Sequence, residues 1–509
     1  MKANRLLRLI VVCMIVTLPQ QVVRGDSLSG SRPNIVFLLT DDQGYGDVSA
    51  HGNPILKTPT LDRLHRESFR FTDFHVSPTC APTRSALFTG RHEFKNGITH
   101  TILERERLTR DAVTLAQALQ SAGYSTGIFG KWHLGDEAEY QPGKRGFDEV
   151  FIHGGGGIGQ VYPGSCGDAP GNTYFNPALL HNSKFEKTEG YCTDLFYQQA
   201  IRWMDGQRKS GKPFFAYIPT NAPHGPYTAK PEDAELYQDK VDNKNLAHFY
   251  GMIHNIDQNI SRLLGKLSEW GIEQNTLVVF MNDNGTAAGQ NVWNAGMRGA
   301  KGTAWLGGTR SSCFWRWPGK IKPDECKKLA AHIDFFPTVA DLAGIKLTEQ
   351  MTSQIEGRSL LPLIQDPNSA WNDRRLFTHV GRWPKFEDPN NWKYKMTSVR
   401  NSRWSLVSPD GGREPKWQLF DLENDYAQST NVIDQHPEIV TELSKAMDQW
   451  WLDCQPKLVN EKVVGPQLNP FAEWYWQQFG GGPTDEDRKK MDPNQVFPAP
   501  NNARGNNKS

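Results

Sequence analysis

The stretch SPTCAPTRSALFTGR, residues 77–91, sets Cys80 two residues before Pro82 and four before Arg84. Pro82 suits a first helical turn, where its missing N–H costs nothing. Ser85 to Phe88 can continue the turn, and Gly90 is a natural stop. The spacing predicts Cys80 at a helix N-terminus, with Arg84 one turn further on the same side. Such a position favours a thiolate or another anionic oxygen or sulfur species. The alternative is a buried or disulfide-bonded cysteine.

Asp41, Asp42, Asp283 and Asn284 are hard oxygen donors, with no cysteine or histidine among them. Brought together they suit Ca²⁺, or Mg²⁺ as a second choice; taken singly, Asp-Asp and Asp-Asn-Gly read as loop caps and turns. Arg84, Lys131, Lys301, His133 and His224 supply positive charge and proton-transfer capacity. Lys301 sits in the glycine-rich run RGAKGTAWLGGTR. Around a divalent ion these side chains describe a pocket for a tetrahedral oxyanion.

The elements that must position them are short apolar runs, each followed by a polar cluster. Asn34 to Thr40 leads into Asp41-Asp42, Ser125 to Gly130 into Lys131-Trp132-His133, Pro213 to Thr220 into Asn221 through His224, and Thr276 to Asn282 into Asp283-Asn284. Such runs read as buried parallel strands. Helical stretches separate them: Thr60 to Ser68, Thr114 to Ala122, and Asn245 to Trp270 with Ile253, Ile256, Ile260, Leu263, Leu264 and Leu267 at 3–4 spacing. Alternating strand and helix predicts an α/β fold, a large mostly parallel sheet flanked by helices. Ligands then bind outside the carboxyl ends of the strands, where the four polar clusters meet.

From about residue 374 the texture changes. KMTSVRNSRWSLVS and KWQLFDLEND read as antiparallel strands joined by a Pro409 to Gly412 turn, with a helix from Pro437 to Trp451 packed on them. The expected division is 1–25 a signal peptide, 26–373 the catalytic domain, 374–454 a smaller C-terminal α+β subdomain, and 455–509 an irregular extension with a disordered end. HGGGGIGQ contains a formal G-x-G-x-x-G, but no helix follows, so it reads as a flexible loop at the pocket rim rather than a dinucleotide site.

With 38% apolar and 22% charged residues in 509, the chain is globular. Its formal charge of +1 gives no nucleic-acid footprint. Residues 1–25 have a basic start (Lys2, Arg5, Arg8) and an apolar run from Leu9 to Leu18, a secretory signal too short to span a bilayer. A secreted or periplasmic protein without a stable membrane anchor is expected. Beyond Cys13, six cysteines remain; Cys166 and Cys192, which bracket a Gly/Pro/Asn-rich loop, are the pair expected to form a disulfide.

The run Cys80-Ala81-Pro82-Thr83-Arg84-Ser85-Ala86-Leu87-Phe88-Thr89-Gly90-Arg91 resembles the signature C-x-P-S/T-R-x-x-L-x-T-G-R of the type I sulfatases, the formylglycine-dependent branch of the alkaline phosphatase superfamily. GKWHLG at 130–135 and LFDLENDYAQSTNV at 419–432 extend the resemblance from about Arg32 to Trp451. Thr83 stands where that family most often has serine, and Leu306 where many members have an acidic residue before the glycine pair.

The resemblance implies an alkaline phosphatase-like fold and conversion of Cys80 by a formylglycine-generating enzyme, or an equivalent maturase, to an aldehyde that is hydrated to a gem-diol. It implies calcium bound by Asp41, Asp42, Asp283, Asn284 and the modified Cys80. In the implied mechanism one diol oxygen attacks sulfur, and Arg84 holds the diol. Lys131 offsets sulfuryl charge, His224 protonates the leaving alcohol beside Lys301, and His133 removes the proton that lets sulfate leave. The substrate is then a sulfate ester, of a small molecule or of a glycan. Sixteen tryptophans fit a carbohydrate through stacking. The alternatives are a phosphomonoesterase or phosphodiesterase of the same superfamily, and a binding protein for sulfated glycans that lacks turnover. No histidine lies between Thr276 and Ala330 to supply a second zinc, and formylglycine at position 80 would exclude the binding protein.

Overall fold

The structure, a computed structural model, describes residues 27–495, so residues 1–25, read from the sequence as a signal peptide, and the terminal NNARGNNKS, read as disordered, lie outside the described residues. Among the described residues no helix is long and apolar enough to cross a membrane.

A ten-stranded sheet organises the chain. Its strands include Asn34–Thr40 (β1), Ser125–Lys131 (β2), Glu149–His153 (β3), Phe214–Pro219 (β4), Thr276–Asn282 (β5) and Cys313–Arg316 (β6). The order β5-β1-β4-β2-β3 is parallel throughout, and β6 adds antiparallel to β5. The four runs expected to be strands are thus consecutive neighbours with their carboxyl ends on one edge. Every residue of β1, β4 and β5 is buried, because helices cover both faces. The two-residue pleat divides β1 accordingly: Ile35, Phe37 and Leu39 enter one apolar cluster, Val36 and Leu38 the other.

Three helices matter for the site or its support: Cys80–Thr89 (α1), Cys192–Ser210 (α2) and Lys244–Glu269 (α3). All six 3–4 spaced residues from Ile253 to Leu267 on α3 are buried. Gly90 ends α1 in the left-handed region, φ +69°, as its position after Thr89 predicts.

The smaller sheet has four antiparallel strands, Leu376–His379 (β7), Thr397–Arg400 (β8), Trp404–Ser408 (β9) and Gln418–Asp421 (β10). The run from Lys395 to Ser408 is therefore itself a hairpin rather than one strand. Asn401 turns it, its side-chain oxygen accepting from Arg403 N at 3.0 Å and Trp404 N at 2.7 Å. Helix Pro437–Cys454 (α4) covers the sheet through Leu443, Met447, Trp450 and Trp451.

Three further expectations are corrected. The segment after Cys454 is not irregular throughout: Pro470–Phe479 and Asp485–Met491 are helices, and Phe471 is fully buried in the main core. Pro470 at the first turn and the thread of apolar Phe471, Trp474 and Tyr475 give the reason. Cys166 and Cys192 form no disulfide; all six cysteines of the described residues are free and buried. Cys192 starts α2, with its sulfur 3.7 Å from Asn221 Oδ1, and Cys166 faces Thr101 O at 3.9 Å. The HGGGGIGQ loop, expected to be flexible, is tied down by hydrogen bonds. Asp168 accepts from Gly154 N and Gly159 N at 3.0 and 2.8 Å, and Asp136 accepts from Gly155 N at 3.0 Å and from Gly167 N at 3.0 Å. Four backbone donors on two buried carboxylates fix the loop.

Candidate active site

Register aligns the site. Thr40 pairs with Asn282, so Asp41 and Asp283 leave adjacent strands side by side, and Asp283 N donates to Thr40 O at 3.0 Å. Helix α1 brings Cys80 to the same point: Sγ lies 3.2 Å from Asp41 Oδ1, 3.4 Å from Asn284 Oδ1 and 3.8 Å from Asp42 Oδ1. One ligand atom each from Asp41, Asp42, Cys80 and Asp283 all lie within 4.8 Å of one another. Four buried groups rich in carboxylate oxygen, with the Asn284 amide oxygen beside them, form a hard donor set that fits Ca²⁺ or Mg²⁺.

Cations ring the cluster. Arg84 Nη2 donates to Asp283 Oδ2 at 2.8 Å and Nη1 to Lys131 O at 2.8 Å. Lys131 Nζ meets Asp41 Oδ2 at 2.5 Å, and Lys301 Nζ meets Asp42 Oδ1 at 2.5 Å. Burial opposes the Asp42 charge, but Lys301, His224 and Lys131 more than offset it and hold its carboxyl well below the usual range. Asp283 moves the other way, raised by burial and by the neighbouring Asp41.

The Cys80 thiol is raised far above its ordinary pKa, by burial first and then by the Asp41 charge. Of the two sequence readings the buried cysteine holds and the thiolate does not: burial, with the charges of Asp41 and Asp283, outweighs the helix dipole and the nearby cations. As a thiol, Cys80 is a poor nucleophile here.

His224 faces the cluster, and both histidines have defined tautomers, assigned from their partners. His133 Nε2 lies 2.7 Å from Thr101 O; a carbonyl only accepts, so Nε2 carries the proton and Nδ1 keeps its lone pair, buried and without a partner. His224 Nδ1 lies 2.7 Å from Gly225 O and donates to it, leaving Nε2 as the acceptor, 3.8 Å from Asp42 Oδ2. Burial, reinforced by Lys131, holds His133 neutral, and burial pushes His224 down to about 3 against the pull of Asp42.

All ten residues singled out from the sequence therefore meet at one sheet edge. Sequence reasoning missed their supports. Gly156 and Gly157 press on the two imidazoles: a Cβ would lie 2.8 Å from His133 Nε2 at the first and 3.1 Å from His224 Nδ1 at the second. The four consecutive glycines were the available signal, and the sequence placed them at the pocket rim without assigning them contact with the imidazoles. Gln428, buried and at φ +56°, accepts from Leu306 N at 3.0 Å and donates to Ser405 Oγ at 3.1 Å, tying the Lys301 loop to the small sheet. Leu306 itself packs in the cluster of Val407, Phe420 and Leu422.

Residues 33–345 match the sulfatase family, and residues 307–452 match the C-terminal region of N-sulphoglucosamine sulphohydrolase. The chain is 34% identical to arylsulfatase J of Mus musculus, over 88% of this chain and 81% of that one. It is 32% identical to N-acetylgalactosamine-6-sulfatase of Mus musculus, over 79% of this chain and 76% of that one. The crystal structure of Ps i-CgsB in complex with k-i-k-neocarrahexaose superposes with a TM-score of 0.73 at 28% identity, over 83% of this chain and 94% of that one.

Proposed function

The chain belongs to the sulfatase family and is a sulfuric ester hydrolase, and from that premise we propose that it hydrolyses the sulfate ester of a carbohydrate, using formylglycine made from Cys80 and a bound calcium ion. The observation that carries the reading is the meeting of Cys80 with Asp41, Asp42 and Asp283 inside a ring of cations. A thiol held protonated by burial and by the Asp41 charge is an unsuitable nucleophile at neutral pH. A hydrated aldehyde at position 80 supplies an oxygen nucleophile and a second hydroxyl through which sulfate can leave.

Asp41, Asp42, Asp283 and Asn284 would hold the ion, which supplies charge neutralisation of the sulfuryl oxygens. Lys131, wholly buried, holds positive charge at the same place. Arg84 fixes Asp283 and stands one helical turn from position 80. His133 presents the free Nδ1 of a neutral ring, suited to taking a proton from a hydroxyl at position 80. His224 presents Nε2 beside Asp42, at the partly exposed edge of the site, where it takes a proton from solvent as the anionic substrate arrives and passes it to the leaving alcohol. Lys301, beside Asp42, stabilises that departing oxygen.

The carbohydrate assignment draws on the names of the relatives, N-acetylgalactosamine-6-sulfatase and a protein solved with k-i-k-neocarrahexaose. Maturation by a formylglycine-generating enzyme or equivalent, and export to a secreted or periplasmic location, complete the proposal. The test is a panel of sulfated saccharides and 4-nitrophenyl sulfate, with released sulfate read by ion chromatography. Release from at least one saccharide is expected; release from the aryl ester alone would contradict the carbohydrate assignment.

A further inference from the structure

Exposure identifies the mouth of the site. The side chains of Arg84, Lys131 and Asp41 are 0% exposed, whereas those of His224 and Lys301 are each 16% exposed. Substrate therefore reaches Cys80 past the second pair. Arg382, on the loop between β7 and β8 of the small sheet, stands beside the site: its Nη2 donates to Thr101 Oγ1 at 3.1 Å, and the carbonyl of the same Thr101 accepts from His133 Nε2 at 2.7 Å.

The loop is built to hold that arginine. Gly381 and Arg382 are both left-handed, at φ +66° and +61°, and a Cβ on Gly381 would meet Thr99 O at 2.0 Å. Arg382 N donates to Thr99 O at 2.9 Å. On the far side, Trp383 O accepts from Arg105 Nη1 at 2.6 Å, and Lys385 pairs with Glu104 at 2.8 Å. A non-glycine residue in the left-handed region costs conformational energy, and the surrounding bonds hold it there.

Its guanidinium has no counter-ion of its own. Nη2 donates to Thr101 Oγ1 at 3.1 Å, Nε is buried without a partner, and among the described residues no carboxylate pairs with it. A half-buried cation without an anion is unfavourable until an anion reaches it. Beside it, His100 Nδ1 accepts from Thr101 N and Ile102 N at 2.8 and 3.2 Å, so the neutral His100 ring carries its proton on Nε2 as a further donor.

We propose that Arg382, with His100 next to it, forms a subsite for a second anionic group on the substrate, a sulfate or carboxylate close to the sulfate that is cleaved, and so determines which sulfated sugars are accepted. The inference rests on the functional reading above. Arginine fits both anions because its planar fork matches either oxyanion in bidentate geometry.

Thr101 also holds His133 through its carbonyl, which gives an Arg382 variant a second route to the rate, through His133; a ratio of substrates separates the two. The holoenzyme, Arg382→Ala and Arg382→Gln are assayed on three disaccharides: neutral monosulfated, neutral disulfated, and monosulfated with a uronic acid. For each preparation kcat/KM is expressed relative to the neutral monosulfated sugar, so misfolded protein cancels. Wild type is expected to prefer at least one dianionic sugar by tenfold or more, and the variants to lose about tenfold of that preference. The sugar on which it is lost identifies the anion. A wild type without preference, or a preference that stays within threefold in the variants, would overturn the proposal; a loss passed through His133 falls equally on all three sugars and gives that second result. No sulfate release by aldehyde-bearing wild type from these sugars or from 4-nitrophenyl sulfate would overturn the functional reading, and this inference with it.

Discussion

Gly156 is packed against His133, with room for a hydrogen but not a methyl: a Cβ would lie 2.8 Å from Nε2, the atom that donates to Thr101 O. Gly156→Ala must therefore displace the ring or the loop. Misplacing a catalytic group by a fraction of an ångström to an ångström costs up to about a hundredfold in rate. Gly156→Ala is expected to lower kcat by about ten- to a hundredfold while bound calcium, measured by elemental analysis, stays stoichiometric. Unchanged kcat would show that His133 does not need this support.

The sheet and the chemistry were legible from the sequence for the same reason. β1 and β5 are short apolar runs buried on both faces, and the polar residue after each has no place but the sheet edge. What the sequence concealed depends on contacts between distant segments. Arg382 is ordinary in its local sequence and becomes special only against Thr99 and Thr101, about 280 positions away. The thiolate reading of Cys80 fails because a helix N-terminus is a local feature, whereas the burial that outweighs it, with the charges of Asp41 and Asp283, comes from two other strand ends. The helix at Pro470–Phe479 was missed because its aromatic run earns its order only by packing against the main core.

Asp283→Ala removes a metal oxygen and the partner of Arg84 together. It should lose calcium and activity, and the buried guanidinium, left with only Asp41 at 4.0 Å and Lys131 O, should cost about 3 kcal/mol of stability. Elemental analysis and urea unfolding read both. Retained calcium with normal turnover, or stoichiometric zinc in the wild type, would refute the assignment of the cluster.

The histidines should separate by leaving group. His224→Ala is expected to slow turnover of sugar sulfates at least tenfold more than that of an activated aryl sulfate, which needs little protonation. His133→Ala should trap sulfated enzyme with either substrate, seen in rapid mixing as a burst followed by slow turnover. Equal losses in His224→Ala and no burst in His133→Ala would reverse or remove these roles.

His153, at the end of β3, is pushed down to about 3 by burial, opposed by its bond to Gly154 O and reinforced by Lys131 and Arg84. Between pH 6.5 and about 3 the unfolded chain takes up a proton that the folded chain refuses, so this group lowers stability as pH falls through that window, by about 1.4 kcal/mol per unit. His153→Phe removes the penalty. Urea unfolding should show the variant gaining about 2 to 3 kcal/mol on wild type between pH 6.5 and about 4.5; a gap that does not move with pH would contradict it.

The most direct measurement is the state of residue 80 set against sulfate release. Protein made with increasing amounts of a formylglycine-generating enzyme is digested, the peptide containing Cys80 is weighed by mass spectrometry, and sulfate released from the best saccharide is measured on the same samples. Turnover should rise in proportion to the aldehyde fraction and extrapolate to zero for the thiol. Full activity in protein that carries only the thiol at position 80 would contradict the account.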